Sequence, residues 1–245
     1  MAGLGSRFSQ AGYRLPKPLI PVLGKPMIQR VLDNLCWGRD DYRFTLIAQR
    51  SHVDDYPTEF SALAKRAKVV VIDGITDGAA RTVMMGLDLA GLVDCADPMV
   101  IANSDQLVTA DFSAFVEDAL LSRADGYIMT FSSLDPKWSY VERDQKDVIV
   151  GVVEKEVVSE EATVGIYFFR SCRLFSTSCA KMIAEDRRSK GEFYVAPVYT
   201  LMAENRHTVQ TWNLSRRNAR MIGLGTPEDL RNYEKDNTAH HLLGH

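Results

Sequence analysis

Two glycines, Gly3 and Gly5, an arginine, Arg7, and a lysine, Lys17, stand close together at the start of the sequence. Glycines let a turn approach a polyanion closely, and the backbone N–H groups of such a turn can point at phosphate oxygens. Arg7 and Lys17 add two fixed positive charges. Pro16, Pro18, Pro21 and Pro26 then hold the chain extended, strip it of donors and disfavour α geometry in the residues before them, so no regular helix is expected before about Met27. Two common phosphate loops are excluded. In a dinucleotide-binding fold G-x-G-x-x-G opens directly into a helix, and here Phe8 occupies the third glycine position. A Walker loop fails because Gly24-Lys25 is followed by Pro26. What remains is a stiff, doubly basic loop suited to gripping phosphates.

This segment resembles the sugar-phosphate nucleotidylyltransferases, which couple an NTP to a sugar 1-phosphate or similar phosphomonoester and release pyrophosphate. The matching residues are Gly3, Gly5, Arg7, Phe8, Pro16, Lys17, Leu19, Pro21, Val22, Lys25, Pro26, Met27 and Ile28. The chain is most similar to a bacterial subgroup linked to capsule and surface polysaccharide synthesis. The resemblance implies an α/β fold, a Rossmann-like, mostly parallel mixed sheet flanked by helices (GT-A-like), with a smaller antiparallel subregion on the acceptor side. It implies that Ala2, Gly3, Leu4 and Gly5 hold the nucleotide, that Arg7 forks onto the β/γ-phosphates, and that Lys17 serves the α-phosphate and the incoming phosphate. Such a reaction needs charge neutralised and reactants aligned more than it needs covalent chemistry. The plain alternative for Arg7 and Lys17 is a solvated loop charge.

Asp105 follows an apolar strand in I-A-N-S-D-Q, where open α/β sheets bind ligands. Alone it would read as a turn cap. The family's aspartate at this point binds Mg²⁺, a hard cation that takes one or two carboxylates plus substrate phosphates, and Ser104 joins the nucleotide set. T-D-G-A-A-R-T resembles the family's base-recognition segment and maps Gly78, Ala79 and Ala80 to the nucleobase; a glycine-started helix is the competing reading. On the acceptor side V-V-E-K-E maps Glu154 and Lys155, with Glu156 in place of the family's proline. A-T-V-G-I-Y maps Gly165, and K-G-E-F-Y maps Glu192. Trp138 and Tyr140 could stack on a sugar ring or a quaternary ammonium group, or serve as ordinary strand aromatics. Many relatives carry a second metal-binding Asp where this chain has Gly223; Asp229, further on, is expected in a helix and facing elsewhere.

These groups need a frame. Helices are expected at 27–36, 53–67, 78–92, 112–121, 174–184 and 194–204, with a closing helix from Pro227 capped by Thr226. Strands are expected at 44–48, 69–72, 99–102, 127–131, 138–142, 148–154, 163–169 and 208–214. The alternation in the first half argues for parallel pairing through crossovers, and the consecutive strands after Trp138 for antiparallel additions. One domain is expected over 1–235, with a frayed tail over 236–245. Family members place a hydrophobic strand before the M-A-G loop at the centre of the sheet. This sequence opens inside the motif, so stability and activity are expected to gain from such a segment.

The chain has 245 residues, 46% of them hydrophobic, enough for one sizeable core. A net charge of −3 creates no field for nucleic acid or anionic membrane, and no apolar run reaches the span of a bilayer. Cys36, Cys95, Cys172 and Cys179 show neither C-x-x-C nor zinc spacing, which suits reduced thiols and a cytoplasmic enzyme. The expected partners are an NTP and a phosphomonoester, with Mg²⁺ as cofactor and self-association left open. The leading reading is NDP-sugar synthesis for a surface polysaccharide. A cytidylyltransferase for phosphocholine or a polyol phosphate is the alternative in the same class. A non-catalytic nucleotide-sugar-binding protein is the alternative in another, and a glycosyltransferase is disfavoured because N-S-D-Q lacks a D-x-D pair.

Overall fold

The computed structural model describes residues 5–36, 41–236, 238 and 240. In chain order, helix α1 (Ser6–Gln10) precedes a 3₁₀ turn (Lys17–Leu19), strands β1 (Pro21–Val22) and β2 (Lys25–Pro26), and α2 (Met27–Cys36). Then come β3 (Thr45–Gln49), α3 (Arg50–Asp55), α4 (Pro57–Leu63), β4 (Lys68–Ile72), α5 (Ala79–Ala90), β5 (Met99–Ala102) and β6 (Gln106–Val108). The chain continues through α6 (Phe112–Ser122), β7 (Gly126–Ser132), β8 (Ser139–Arg143), β9 (Ile149–Glu154) and β10 (Glu161–Phe169). It closes with α7 (Cys172–Ala184), α8 (Val198–Glu204), β11 (Val209–Asn213), β12 (Met221–Gly223) and α9 (Pro227–Lys235). The fold is mixed α/β, with strands flanked by helices.

Two compact units emerge. The first draws on Met1–Ile75, Asn103–Ser113 and Ala219–His245, the second on Thr76–Ala102 and Ala114–Asn218. In the first, β3 and β4 pair in parallel, as a strand–helix–strand crossover requires, and β6 pairs antiparallel with β12. Helix α2 buries Ile28, Val31, Leu32 and Leu35 on one side. On the same helix Asn34 hydrogen-bonds both ways to the Val108 backbone, its amide donating at 2.8 Å and accepting at 2.9 Å. A side-chain amide thus satisfies strand groups that would otherwise be buried without partners.

The second unit is built on one sheet in the order β11-β7-β10-β8-β9, with β5 also paired to β10. Only β11–β7 is parallel; β5, β7 and β8 pair antiparallel with β10, whose apolar residues are buried almost throughout, and β9 pairs antiparallel with β8. Helices α7 and α8 add Phe175 and Tyr199, which pack against Phe169; the Phe169 and Tyr199 rings stack at 4.7 Å. Ser171 caps α7 by accepting from Leu174 N at 3.1 Å, and Thr226 caps α9 by accepting from Asp229 N at 3.1 Å.

Three expectations change. A short helix, α1, does form before Met27, because residues 6–10 contain no proline and the first of the four stands only at Pro16. The single helix expected over 53–67 is two, since Pro57 lacks an N–H and bars its predecessor Tyr56 from α geometry. The helix expected from Tyr194 begins at Val198, because Phe193 is held by its N–H to Asp77 O at 2.9 Å. Ala2, Gly3 and Leu4 lie outside the described residues, as does most of the expected tail beyond Asp236.

Candidate functional site

In the first unit the left-handed turn at Gly5 (φ 59°) starts α1 and runs against Lys17. A methyl group added at Gly5 would lie 3.1 Å from Lys17 Cβ, so the glycine permits both the backbone angle and the approach. Lys17 sends its ammonium to Asp105 Oδ2 and, at 3.3 Å, to the Gly225 carbonyl. It also stands 5.8 Å from the centre of the buried Phe8 ring. Asp105 is held by the β6–β12 ladder, where Gln106 faces Gly223, and its own carbonyl accepts from Leu224 N at 2.7 Å. Ser104 sits half-buried in the turn before it. Arg7 is exposed and has no ion-pair partner among the described residues.

Gly225 is where this cluster converges. A methyl group there would lie 3.2 Å from Asp105 Oδ2, 3.8 Å from Lys17 Nζ and 3.9 Å from Asp229 Oδ2. Asp229 is in the first turn of α9, as expected, but its carboxylate faces this cluster rather than away, drawn there by Thr226 Oγ1 at 2.7 Å. Among the described residues no three His, Cys, Asp or Glu side chains gather as a metal cage. Asp105, with Asp229 in the neighbourhood, fits a cation that brings its own phosphate oxygens and water, as Mg²⁺ does.

In the second unit Gly78 (φ 138°) precedes α5, and a methyl group there would fall 2.3 Å from Phe193 O and 2.5 Å from Phe193 N. Only glycine fits. Ala80 N donates to Phe193 O at 2.9 Å, so the segment with Gly78, Ala79 and Ala80 is stitched to the one with Glu192. Asp77 bridges Arg81 (2.7 Å) and Arg188 (3.0 Å), and both guanidinium groups lie over the Phe193 ring.

The residues expected on the acceptor side divide sharply. Tyr140 is fully buried and donates to Asp135 O at 2.8 Å, so its ring has no face to offer a ligand. Trp138 packs edge-on against Phe131, and the Lys137 ammonium lies 4.9 Å from its ring centre. Gly165 is a buried, left-handed residue (φ 90°) at a register shift in β10. Glu154 has only 7% of its side chain exposed and accepts from Ser139 Oγ. Burial raises its pKa above the usual carboxylate range, and nearby Glu192 adds to this, against the Ser139 hydrogen bond and the Lys155 charge. Lys155 Nζ donates to Tyr194 Oη at 2.5 Å and stands 3.9 Å from Glu154. Tyr194, Gly225 and Asn34 are not singled out by the sequence: Tyr194 stands in K-G-E-F-Y and Gly225 two residues after Gly223, but nothing in those runs marks their contacts.

In the first unit, then, a glycine turn lies on a lysine that meets an aspartate at a strand end. The chain belongs to the nucleotidyl transferase family, whose model matches residues 1–211. The bifunctional protein GlmU of Desulfotalea psychrophila is 26% identical over 219 residues, which is 86% of this chain and 61% of that protein. The mannose-1-phosphate guanylyltransferase catalytic subunit beta of Drosophila melanogaster is 24% identical over 69% of this chain and 46% of its own length. The chain thus spans about half to three-fifths of these curated relatives. A solved structure, the nucleoside-diphosphate-sugar pyrophosphorylase of Vibrio cholerae RC9, shares the fold with a TM-score of 0.82 at 20% identity, covering 96% of this chain and 98% of that one. Among the described residues no helix is long and apolar enough to cross a membrane.

Proposed function

We propose that this chain transfers a nucleotidyl group from an NTP to a sugar 1-phosphate, releasing pyrophosphate. The observation that carries the reading is the meeting of Lys17 with Asp105 beside Gly5 and Gly225 in a member of the nucleotidyl transferase family. A phosphate oxygen of the acceptor attacks the α-phosphorus, and the bond to the pyrophosphate oxygen breaks. Lys17, released from Asp105, lowers the repulsion between the two anions, and Arg7 takes the β/γ-phosphates as they become pyrophosphate. Mg²⁺ held at Asp105 would neutralise phosphate charge. Gly78, Ala79, Ala80 and Ser104, with the backbone of residues 2–5, serve the nucleotide; Glu154, Lys155, Gly165 and Glu192 serve the acceptor.

The same reading places the enzyme in the cytoplasm, where NTPs are made, supplying an NDP-sugar for a surface polysaccharide. The test is a matrix of four NTPs against a panel of phosphomonoesters with Mg²⁺, reading pyrophosphate release. Turnover with at least one sugar 1-phosphate is expected. Binding without turnover for every pair would overturn the enzymatic reading.

A further inference from the structure

Lys155 is held from three sides. It follows β9 in a left-handed conformation (φ 57°), which is strained for a non-glycine residue and persists where surroundings impose it. Its N–H donates to Trp138 O at 3.0 Å, which fixes the turn. Its ammonium is taken by the Tyr194 hydroxyl at 2.5 Å and lies 4.4 Å from the centre of that ring. Tyr194 is itself anchored. Its neighbour Phe193 is fully buried, bonded through both backbone groups to Asp77 and Ala80, with its ring under Arg81 and Arg188. A phenol half-buried beside such an anchor, with its oxygen on a lysine, is placed to hold that lysine.

We infer that Tyr194 is a positioning residue that holds the Lys155 ammonium for the phosphate of the acceptor. The inference rests on the proposed nucleotidyl transfer for its substrate but on Lys155 itself for its geometry. Partial burial works against the Lys155 charge, yet the Tyr194 hydrogen bond, with Glu154 and Glu192 nearby, outweighs it and keeps the proton on more tightly than in a free lysine. The Tyr194 hydroxyl can turn its own hydrogen outward to the same phosphate, because it accepts from the ammonium and still has one proton to give. A monoester phosphate would then meet a charged donor and a neutral one side by side, and a ligand without a phosphate would gain from neither.

Tyr194→Phe tests this, since it keeps the ring and its packing and removes only the oxygen. Against the best acceptor from the substrate matrix, KM for the acceptor should rise about tenfold, with KM for the NTP unchanged and kcat within about threefold, as expected for a lost hydrogen bond to a charged group. An unchanged acceptor KM, or an equal rise for both substrates, would overturn the inference. A second arm needs no turnover. The acetylation rate of Lys155 by acetic anhydride, followed by peptide mass spectrometry at fixed pH, should rise by about threefold or more in Tyr194→Phe, because the amine loses a partner that stabilises its charge. An unchanged rate would sink the inference even if the enzyme is active. A wild type without turnover on any pair, yet with this rise, would uphold Tyr194 and reject the proposed reaction.

Discussion

The two units each present a lysine suited to phosphate, and they hold it in opposite ways. Lys17 has 20% of its side chain exposed and is matched by a carboxylate, Asp105, with 21% exposed. Its charge is cancelled where it stands. Lys155 meets a neutral phenol, and its nearest carboxylate, Glu154, is almost wholly buried, turned to Ser139, and more ready than usual to keep a proton. The Glu154 carboxylate, 3.9 Å away, offsets its charge only in part. A lysine in contact with a carboxylate becomes cationic toward a ligand only when that partner is drawn elsewhere, whereas one with a more distant carboxylate attracts an anion sooner. Under the proposed function the contrast suits a reacting centre in the first unit and a recognition surface in the second.

The largest effect should come from removing the balanced charge. Lys17→Ala is expected to lower kcat by roughly 10²–10³ with NTP affinity little changed, because charge aimed at reacting phosphates acts mainly in the transition state. Single-turnover rates within a few-fold of wild type would remove Lys17 from the chemistry. Asp105→Asn should cost about a hundredfold in turnover, partly recovered by raising Mg²⁺, since the amide keeps an oxygen and loses the charge. If the metal dependence is untouched, Asp229 is the next carboxylate to change. The second unit should fail by shape instead. Gly78→Ala drives a methyl group into the Phe193 backbone at 2.3 Å. It should lose about 2–3 kcal/mol of stability in urea titrations. Gly5→Ala, facing a side-chain carbon at 3.1 Å, should lose less.

The smallest effect should be electrostatic. The folded chain raises the pKa of Glu154 above its unfolded value, so folding favours the protonated form. That contribution is complete below the ordinary glutamate range, near pH 4, and is lost as pH rises through the folded value. Urea unfolding of wild type and Glu154→Gln from pH 4 to 8 should therefore show the variant gaining on the wild type as pH rises. A difference that is flat, or shrinks, would mean that the carboxylate is stabilised as an anion.

Much of the frame was legible because it follows from side-chain periodicity. Met27–Cys36 declares its apolar stripe, and the apolar run Met99–Ala102 declares a strand, which is only half-buried. The Lys17–Asp105 contact was not legible as geometry, since 88 residues separate its partners and only the motif suggested that they cooperate. The three-residue strands β6 and β12 are too short to show a period, and it is their pairing that sets Asp105 beside Gly225. Tyr140 reads as a stacking aromatic in one dimension, yet its place on an inner strand makes it core. Tyr194 has no signal of its own; it matters because a left-handed lysine reaches it from another loop.

The bond from Lys17 to the Gly225 carbonyl spans 208 residues, and it bears on the order of synthesis. A chain leaving the ribosome from its N-terminus exposes the glycine turn first and the residues that complete its surroundings only after Gly225 has emerged. The sheet of the second unit, by contrast, has its last strand, β11, by Asn213. The nascent protein can thus pair the whole sheet of its second unit while the surroundings of Lys17 are still incomplete. Contacts between residues far apart in sequence form slowly. Under the proposed function, a chain released early would carry Lys155 and Tyr194 without the partners of Lys17.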